Sequence, residues 1–204
     1  VISEITRGYA VKICCTGQHR GMLRQIFDVF DIVPDIDLSI MTESQDLFDI
    51  TTKSLIGLRK AIINFSPNLV LVQGDTTTAL AASLASFYLG IPVAHVEAGL
   101  RTKTVVTPFP EEMNRRLISQ IAIHHFAPTE WAKQNLLKEN IPGTSITVTG
   151  NTVVDALFRI LDSARAAKYS EKTKKAIPFL SDRSGSTEKI ILVTAHRREN
   201  FGEG

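Results

Sequence analysis

The stretch "NLVLVQGDTTTALAAS" (residues 68–83) joins a short apolar run to an alanine-rich segment through a single aspartate, Asp75. The apolar run is typical of a buried β-strand, and the alanine-rich segment is typical of a helix. A strand followed directly by a helix predicts one step of a parallel sheet that helices cover. Asp75 stands where that strand ends, either as the cap of the helix or as a reactive group.

The same alternation continues on both sides of this stretch. The pattern predicts strands over 10–17, 35–41, 68–74, 92–98, 124–128 and 145–150, and helices over 19–30, 45–65, 76–89, 111–122, 130–139 and 152–168. Nearly continuous apolar strands separated by helices predict the α/β class, with a doubly wound, mostly parallel, Rossmann-like sheet. In such a fold the C-terminal ends of the strands lie along one edge, where ligands bind.

The composition of the chain changes near residue 168. We interpret residues 1–167 as a Rossmann-like domain, and the polar segment 168–188, with a proline and several serines, as a linker. Residues 189–204 contain another apolar run and a polar turn. They are interpreted as the first strand and turn of a second domain, which the given residues leave incomplete.

Bulk composition excludes several classes of function. The 204 residues are 44% hydrophobic and carry a net charge of +2, which gives no electrostatic case for binding nucleic acid. No apolar run approaches the roughly 18 residues of a membrane helix, and the start of the chain lacks the features of a secretory signal, so we expect a cytoplasmic protein. Phosphate-loop, dinucleotide and metal-binding motifs are missing from the sequence, and no cofactor is expected.

The two cysteines, Cys14 and Cys15, are adjacent within an apolar run. Neighbouring residues on a strand point to opposite faces, so a disulfide between them is not expected. We interpret both as small core residues in a reducing compartment.

Carboxylates end two successive predicted strands, Asp75 after the strand 68–74 and Glu97 in the strand 92–98. Burial and mutual repulsion at such a position shift carboxyl pKa values. Arg101 follows the second strand, and Arg197 follows the last one; guanidinium groups there suit a phosphate or diphosphate. The pattern predicts a cleft for an anionic ligand with acid–base carboxylates.

Each candidate also has an ordinary structural interpretation. Asp75 and Asn151 each precede a helix and could cap it, and His95 could be a core histidine. Glu111 could be part of an ordinary helix start, with Pro110 in the first helical position. The turn "HRREN" (196–200) could simply be solvated.

Six blocks of sequence together carry a resemblance to a known family. They are "TGQHRGML", "VQGDTTTALAAS", "HVEAGLRT", "PFPEEMNRRL", "ITVTGNTVVDAL" and "ILVTAHRREN". With these blocks the chain resembles the non-hydrolysing UDP-N-acetylglucosamine 2-epimerase family. The resemblance implies the N-terminal half of a two-domain GT-B fold, a homodimer, and a bacterial isomerase that needs no cofactor. It also implies interconversion of UDP-N-acetylglucosamine and UDP-N-acetylmannosamine by elimination and re-addition of UDP, supplying cell-surface polysaccharides.

The resemblance also assigns roles to individual residues. The family's acidic catalytic residues fall on Asp75, Glu97 and Glu111, and its nucleotide-side catalytic histidine falls on His196, with Arg197 beside it to support the departing diphosphate. Gln18 and His19, with Arg197, match positions associated with a second sugar-nucleotide site in some bacterial members.

One departure from the family pattern and two rival functions remain. Family members begin with a strand and a Gly-Thr-Arg-Pro-Glu turn that the given residues lack, so we expect a fragment that is nearly inactive alone. A hydrolysing relative, which releases UDP and N-acetylmannosamine, shares much of the pattern, and product analysis separates the two. A non-catalytic nucleotide-sugar binding module is the third reading, although three carboxylates beside a diphosphate argue against it.

Overall fold

Parallel strands organise the part of the chain that the computed structural model describes, residues 1–17, 20–42, 44–161, 171, 173–178, 189 and 191. The smaller sheet pairs two strands, β1 (Cys14–Cys15) and β2 (Ile36–Asp37). The larger sheet has four strands in chain order, β3 (Val70–Gln73), β4 (Val93–Val96), β5 (His124–Ala127) and β6 (Ile146–Val148). All pairings are parallel, which confirms the predicted α/β class.

Helices lie between the strands where the pattern predicted them. The described helices are α1 (Ile2–Ile5), α2 (Arg20–Phe30), α3 (Leu47–Phe65), α4 (Thr77–Tyr88), α5 (Glu111–Ile121), α6 (Glu130–Lys138) and α7 (Thr152–Leu161). A short 3₁₀ turn, Gly143–Ser145, precedes β6. Helix α5 begins at Glu111, so Pro110 precedes the helix instead of occupying its first position as predicted.

Strand β4 lies at the centre of the core. All four of its residues are buried, and successive side chains of a strand point to opposite faces, so both faces of the sheet are covered at β4. One apolar cluster joins α3, α4 and α5 to β3 and β4, with Leu58, Val72, Val93 and Ile118 among its members. A second cluster packs α6 against the ends of β5 and β6, around Leu136.

The two cysteines are both free, which confirms that they form no disulfide. Cys15 is buried as predicted, whereas Cys14 is exposed, so its assignment to the core was wrong. The two side chains point to opposite faces of a strand, and only the face of Cys15 is covered.

Residues Val1–Phe158 form one compact unit, and Arg159–Gly204 form a second. The predicted boundaries, 1–167, 168–188 and 189–204, stay predictions, since most residues beyond 161 lie outside the described part of the chain. Among the described residues no helix is long and apolar enough to cross a membrane.

Gly99, just after β4, supports a test of this packing. Its backbone is left-handed, with φ of 87°, and a β-carbon there would collide with the carbonyl oxygen of Ala132 in α6. Gly90 has a similar φ of 69° but nothing within 4 Å of that position. We expect Gly99→Ala to reduce the free energy of unfolding by about 3 kcal/mol or more, and Gly90→Ala by about 1 kcal/mol. Urea denaturation of both variants measures the difference, and equal losses would contradict the close contact with α6.

Candidate active site

The ends of β3 and β4 place two carboxylates at one edge of the larger sheet. The last paired residues of the two strands are Gln73 and Val96. The next residue on each strand, Gly74 with φ of 73° and Glu97 with φ of 69°, is left-handed, so both chains leave the sheet at the same level. Asp75 follows Gly74 directly. From the sequence, Asp75 and Glu97 were expected at one edge of the sheet, because the C-terminal ends of parallel strands lie there. The register of β3 and β4 brings these two residues to nearly the same level.

Thr76, not Asp75, caps the following helix. The Thr76 hydroxyl oxygen accepts a hydrogen bond of 3.2 Å from the backbone N–H of Ala79, in the third position of α4. The cap interpretation of Asp75 was therefore wrong. The Asp75 carboxylate instead forms an ion pair with Arg115, with 2.7 Å between Oδ2 and Nη2. Its backbone carbonyl accepts a hydrogen bond of 2.9 Å from the Asn114 side chain.

The pKa values of both carboxyls are raised, mainly by burial. Burial raises the pKa of Asp75, the Arg115 guanidinium opposes that shift, and the charge of Glu111 reinforces it. Burial also raises the pKa of Glu97, and the negative charge of Asp75 raises it further. Arg115 and a hydrogen bond from Gln73 act in the opposite direction on Glu97. Two interacting carboxyls with raised pKa values are suited to accepting and donating protons.

The first turns of α5 contribute the other charged groups. Glu111 is half-buried, and its effect on the pKa of Asp75 places it among the same acidic groups. Glu112 is fully buried, where it accepts a hydrogen bond of 2.8 Å from Nε of Arg116 and one of 3.1 Å from the backbone N–H of Thr102. Sequence reasoning selected Glu111 and missed Glu112 and Arg115. The spacing i, i+3 and i+4 within "EEMNRR" was the signal that could have found them.

His95 supports the turn that presents Asp75. Its side chain is fully buried, and Nε2–H donates a hydrogen bond of 2.8 Å to the carbonyl oxygen of Gly74. Burial lowers the pKa of His95 to about 4, so the ring is neutral at physiological pH. Its Nδ1 atom is buried without a hydrogen-bond partner. The interpretation as a core histidine is confirmed, and its hydrogen bond fixes the backbone beside Asp75.

Two other residues singled out in the sequence, Arg101 and Asn151, form hydrogen bonds within the domain. Arg101 is 7% exposed and binds Glu139 through two hydrogen bonds, of 2.7 and 2.6 Å, with a third of 3.0 Å to the Ser119 hydroxyl. Its substrate-binding role stays a prediction. Asn151 caps α7, since its Oδ1 accepts a hydrogen bond of 3.1 Å from the backbone N–H of Val153, which confirms the cap interpretation.

Four predicted site residues lie outside the described part of the chain, namely Gln18, His19, His196 and Arg197. Among the described residues no group of three or more histidine, cysteine or acidic side chains could hold a metal ion. A cavity of about 880 Å³ lies between β2 and α3 and is lined by residues such as Lys12, Lys60 and Phe65. None of the site carboxylates lines that cavity.

The fold and the site define a parallel α/β domain with two carboxyl groups of raised pKa, Asp75 and Glu97, at the C-terminal edge of its sheet. The family model described as UDP-N-acetylglucosamine 2-epimerase matches residues 4–204. The chain is 51% identical to the UDP-N-acetylglucosamine 2-epimerase of Neisseria meningitidis, covering 100% of this chain and 54% of that protein. Its relative from Salmonella typhimurium is also 51% identical, over 96% of this chain and 51% of that protein.

A solved structure agrees with these matches. The crystal structure of the Neisseria meningitidis UDP-GlcNAc 2-epimerase bound to UDP-GlcNAc superposes with a TM-score of 0.90 at 49% identity, over 100% of this chain and 54% of that one. The chain therefore belongs to the UDP-N-acetylglucosamine 2-epimerase family. It spans about half the length of the curated relatives it matches.

The neutral state of His95 predicts how stability depends on pH. The unfolded chain protonates this histidine near its ordinary pKa of 6.5, whereas the folded chain resists protonation down to about 4. Between these values the unfolded state binds more protons, so stability falls as the pH is lowered from 6.5 to 4, by up to about 3 kcal/mol.

We expect His95→Gln, which keeps a donor near the Gly74 carbonyl but does not titrate, to flatten this part of the curve. His124 is exposed on the neighbouring strand, and His124→Gln serves as the matched control for replacing a histidine at an exposed position. Unfolding free energies from urea titrations at several pH values provide the measurement. An unchanged slope in His95→Gln would show that His95 is not buried in its neutral form.

Proposed function

We propose that the protein containing this chain interconverts UDP-N-acetylglucosamine and UDP-N-acetylmannosamine. The observation that carries this proposal is the pair Asp75 and Glu97, held at the same edge of the sheet and both with raised pKa values. Membership of the epimerase family supplies the substrate class, and the Neisseria meningitidis relative was crystallised with UDP-GlcNAc bound.

The chemistry explains the need for two carboxyl groups. The proton on C2 of the sugar is not flanked by a carbonyl, so simple deprotonation is too costly. Elimination of UDP across C1–C2 avoids this cost: a carboxylate accepts the C2 proton, the C1–O bond breaks towards the diphosphate, and 2-acetamidoglucal forms. Re-addition of UDP at C1, with a proton delivered to the opposite face of C2, gives the epimer. Two faces require two differently placed acid–base groups.

In this proposal Asp75 and Glu97 are the principal proton-transfer groups, and Glu111 completes the acidic cluster beside them. His196 and Arg197 are proposed to support the departing diphosphate. Gln18 and His19 are proposed to belong to a second sugar-nucleotide site. The resemblance of the sequence blocks supports these roles.

The setting of the reaction is proposed on the same basis. We place the enzyme in the bacterial cytoplasm, where it supplies cell-surface polysaccharide synthesis, and we propose a homodimer. The outer sides of α3, α4 and α5 carry exposed apolar side chains that a second copy would cover: Ile63, Phe87, Tyr88, Met113 and Leu117.

Deuterium incorporation tests the proposed reaction. The full-length protein is incubated with UDP-N-acetylglucosamine in deuterated water, and C2 of the sugar is followed by NMR. We expect UDP-N-acetylmannosamine that carries deuterium at C2 and retains UDP. Accumulation of free UDP with N-acetylmannosamine would instead identify a hydrolysing enzyme, and the absence of turnover would favour a binding module.

Asp75 and Thr76 form a matched pair of variants at adjacent positions. We expect Asp75→Asn to lower kcat by roughly a hundredfold or more while the protein stays folded, because the variant cannot accept a proton. Thr76→Ala removes the helix cap and should cost about 1 kcal/mol of stability with kcat nearly unchanged. Steady-state kinetics and thermal unfolding of both variants check this. An active Asp75→Asn enzyme with reduced stability would show that Asp75 is only structural.

A further inference from the structure

Helix α5 directs a cationic side chain at one of the two strand-end carboxylates. The Arg115 side chain is 11% exposed, and its Nη2 lies 2.7 Å from Oδ2 of Asp75. On the other side of the guanidinium, Nε lies 3.6 Å from Oε2 of Glu112, too far for a hydrogen bond, and it has no other hydrogen-bond partner. The short contact to Asp75 is therefore the stronger of the two ion pairs of Arg115.

Glu112 acts as a fixed counter-charge behind Arg115. Its carboxylate is completely buried, and it accepts hydrogen bonds from Nε of Arg116 and from the backbone N–H of Thr102. A buried carboxylate of this kind requires such partners, because an unpaired charge in the interior is strongly unfavourable. Glu112 thus restricts where the Arg115 guanidinium can lie and compensates part of its charge.

The two strand-end carboxyls consequently differ in their partners. Asp75 forms a direct ion pair with Arg115, whereas Glu97 forms no ion pair within the described residues and accepts a hydrogen bond from the Gln73 side chain. An opposite charge in contact favours the ionised form, and burial beside a second carboxylate favours the protonated form. The contact with Arg115 therefore favours the ionised form of Asp75, and the surroundings of Glu97 favour its protonated form.

We infer that Arg115 is a positioning residue that holds Asp75 as the ionised member of the pair and leaves Glu97 as the member that carries the proton. This inference rests on the proposed epimerase function. In the resting enzyme, Asp75 is then the group that accepts the C2 proton as UDP leaves, and Glu97 donates its proton to the opposite face of C2 as UDP returns. One proton has then moved from Glu97 to Asp75, and exchange with solvent restores the resting state.

The alternative is that the Arg115–Asp75 ion pair only attaches α5 to the turn after β3. Both roles predict lost stability when Arg115 is replaced, so stability alone does not separate them. Only the positioning role predicts a change in the pH at which the carboxyl pair titrates. The matched control is Arg116, which forms ion pairs with Glu112 and Glu139 but none with Asp75 among the described residues.

The experiment compares Arg115→Gln, Arg115→Lys and Arg116→Gln in the full-length protein. Arg115→Gln keeps a hydrogen-bond donor near Asp75 but lacks the positive charge that favours its ionised form. The acidic limb of the plot of kcat against pH should therefore move to higher pH by about one to two units. Arg115→Lys restores a cation and should return the limb to within about half a unit of the wild type. Arg116→Gln removes the same charge one residue away and should move the limb by less than about half a pH unit, because Arg116 acts on Asp75 only through Glu112 and Arg115.

A folded Arg115→Gln enzyme with the wild-type pH profile would overturn the inference while leaving the proposed function intact. A wild-type protein without epimerisation would instead overturn the proposed function. If Arg115→Gln does not fold, ¹³C NMR titration of the Asp75 and Glu97 carboxyl carbons in the wild-type protein decides the question. Ionisation of Asp75 at lower pH than Glu97 supports the inference, and the reverse order overturns it.

Discussion

The parallel register of β3 against β4 is the constraint on which the site depends. The two strands end at the same level, and each continues into a left-handed residue, Gly74 or Glu97. A non-glycine residue in that conformation costs of order 1–3 kcal/mol, and at Glu97 this cost falls on a carboxylate of the site. The Gly74 turn is held by Val96, whose carbonyl accepts its N–H at 3.0 Å, and by His95. The backbone geometry at the ends of β3 and β4 therefore determines the positions of Asp75 and Glu97.

Helix α5 adds the second layer of the site, and its periodicity gives its two adjacent acids different surroundings. Adjacent residues on a helix point about 100° apart, so Glu111 and Glu112 cannot share an environment. Glu112 points inward and pairs with the arginines three and four residues later, whereas Glu111 remains accessible near Asp75. Replacing a buried ion pair with apolar residues is often neutral for stability, so stability alone gives little reason for Glu112 to be buried. Its contacts instead fix Arg115, which contacts Asp75.

Local pattern predicted the elements, their order and the convergence of Asp75 with Glu97, because the edge rule of a parallel α/β sheet needs only strand ends. It did not identify the cap of α4, since Asp75 and Thr76 are adjacent and both residue types favour that position. Nor could it find the partner of Arg101, since Glu139 lies 38 residues further along the chain. Contacts of this kind are set by tertiary packing, which composition and spacing do not encode.

The pairing of Arg101 bears on which groups could support the departing diphosphate of the proposed reaction. To reach a phosphate directly, its guanidinium would have to give up two charge-assisted hydrogen bonds to Glu139, each worth roughly 1.5–3 kcal/mol. Glu139 also lies 3.8 Å from Nη1 of Arg116. Arg101 and Arg116 therefore share this carboxylate, and Arg116 is the residue that donates a hydrogen bond to Glu112. Withdrawing Arg101 would therefore disturb the charge balance behind Arg115. This coupling weighs against direct phosphate contact by Arg101, and it shifts that role towards cations elsewhere in the protein, of which Arg197 is the sequence-predicted candidate.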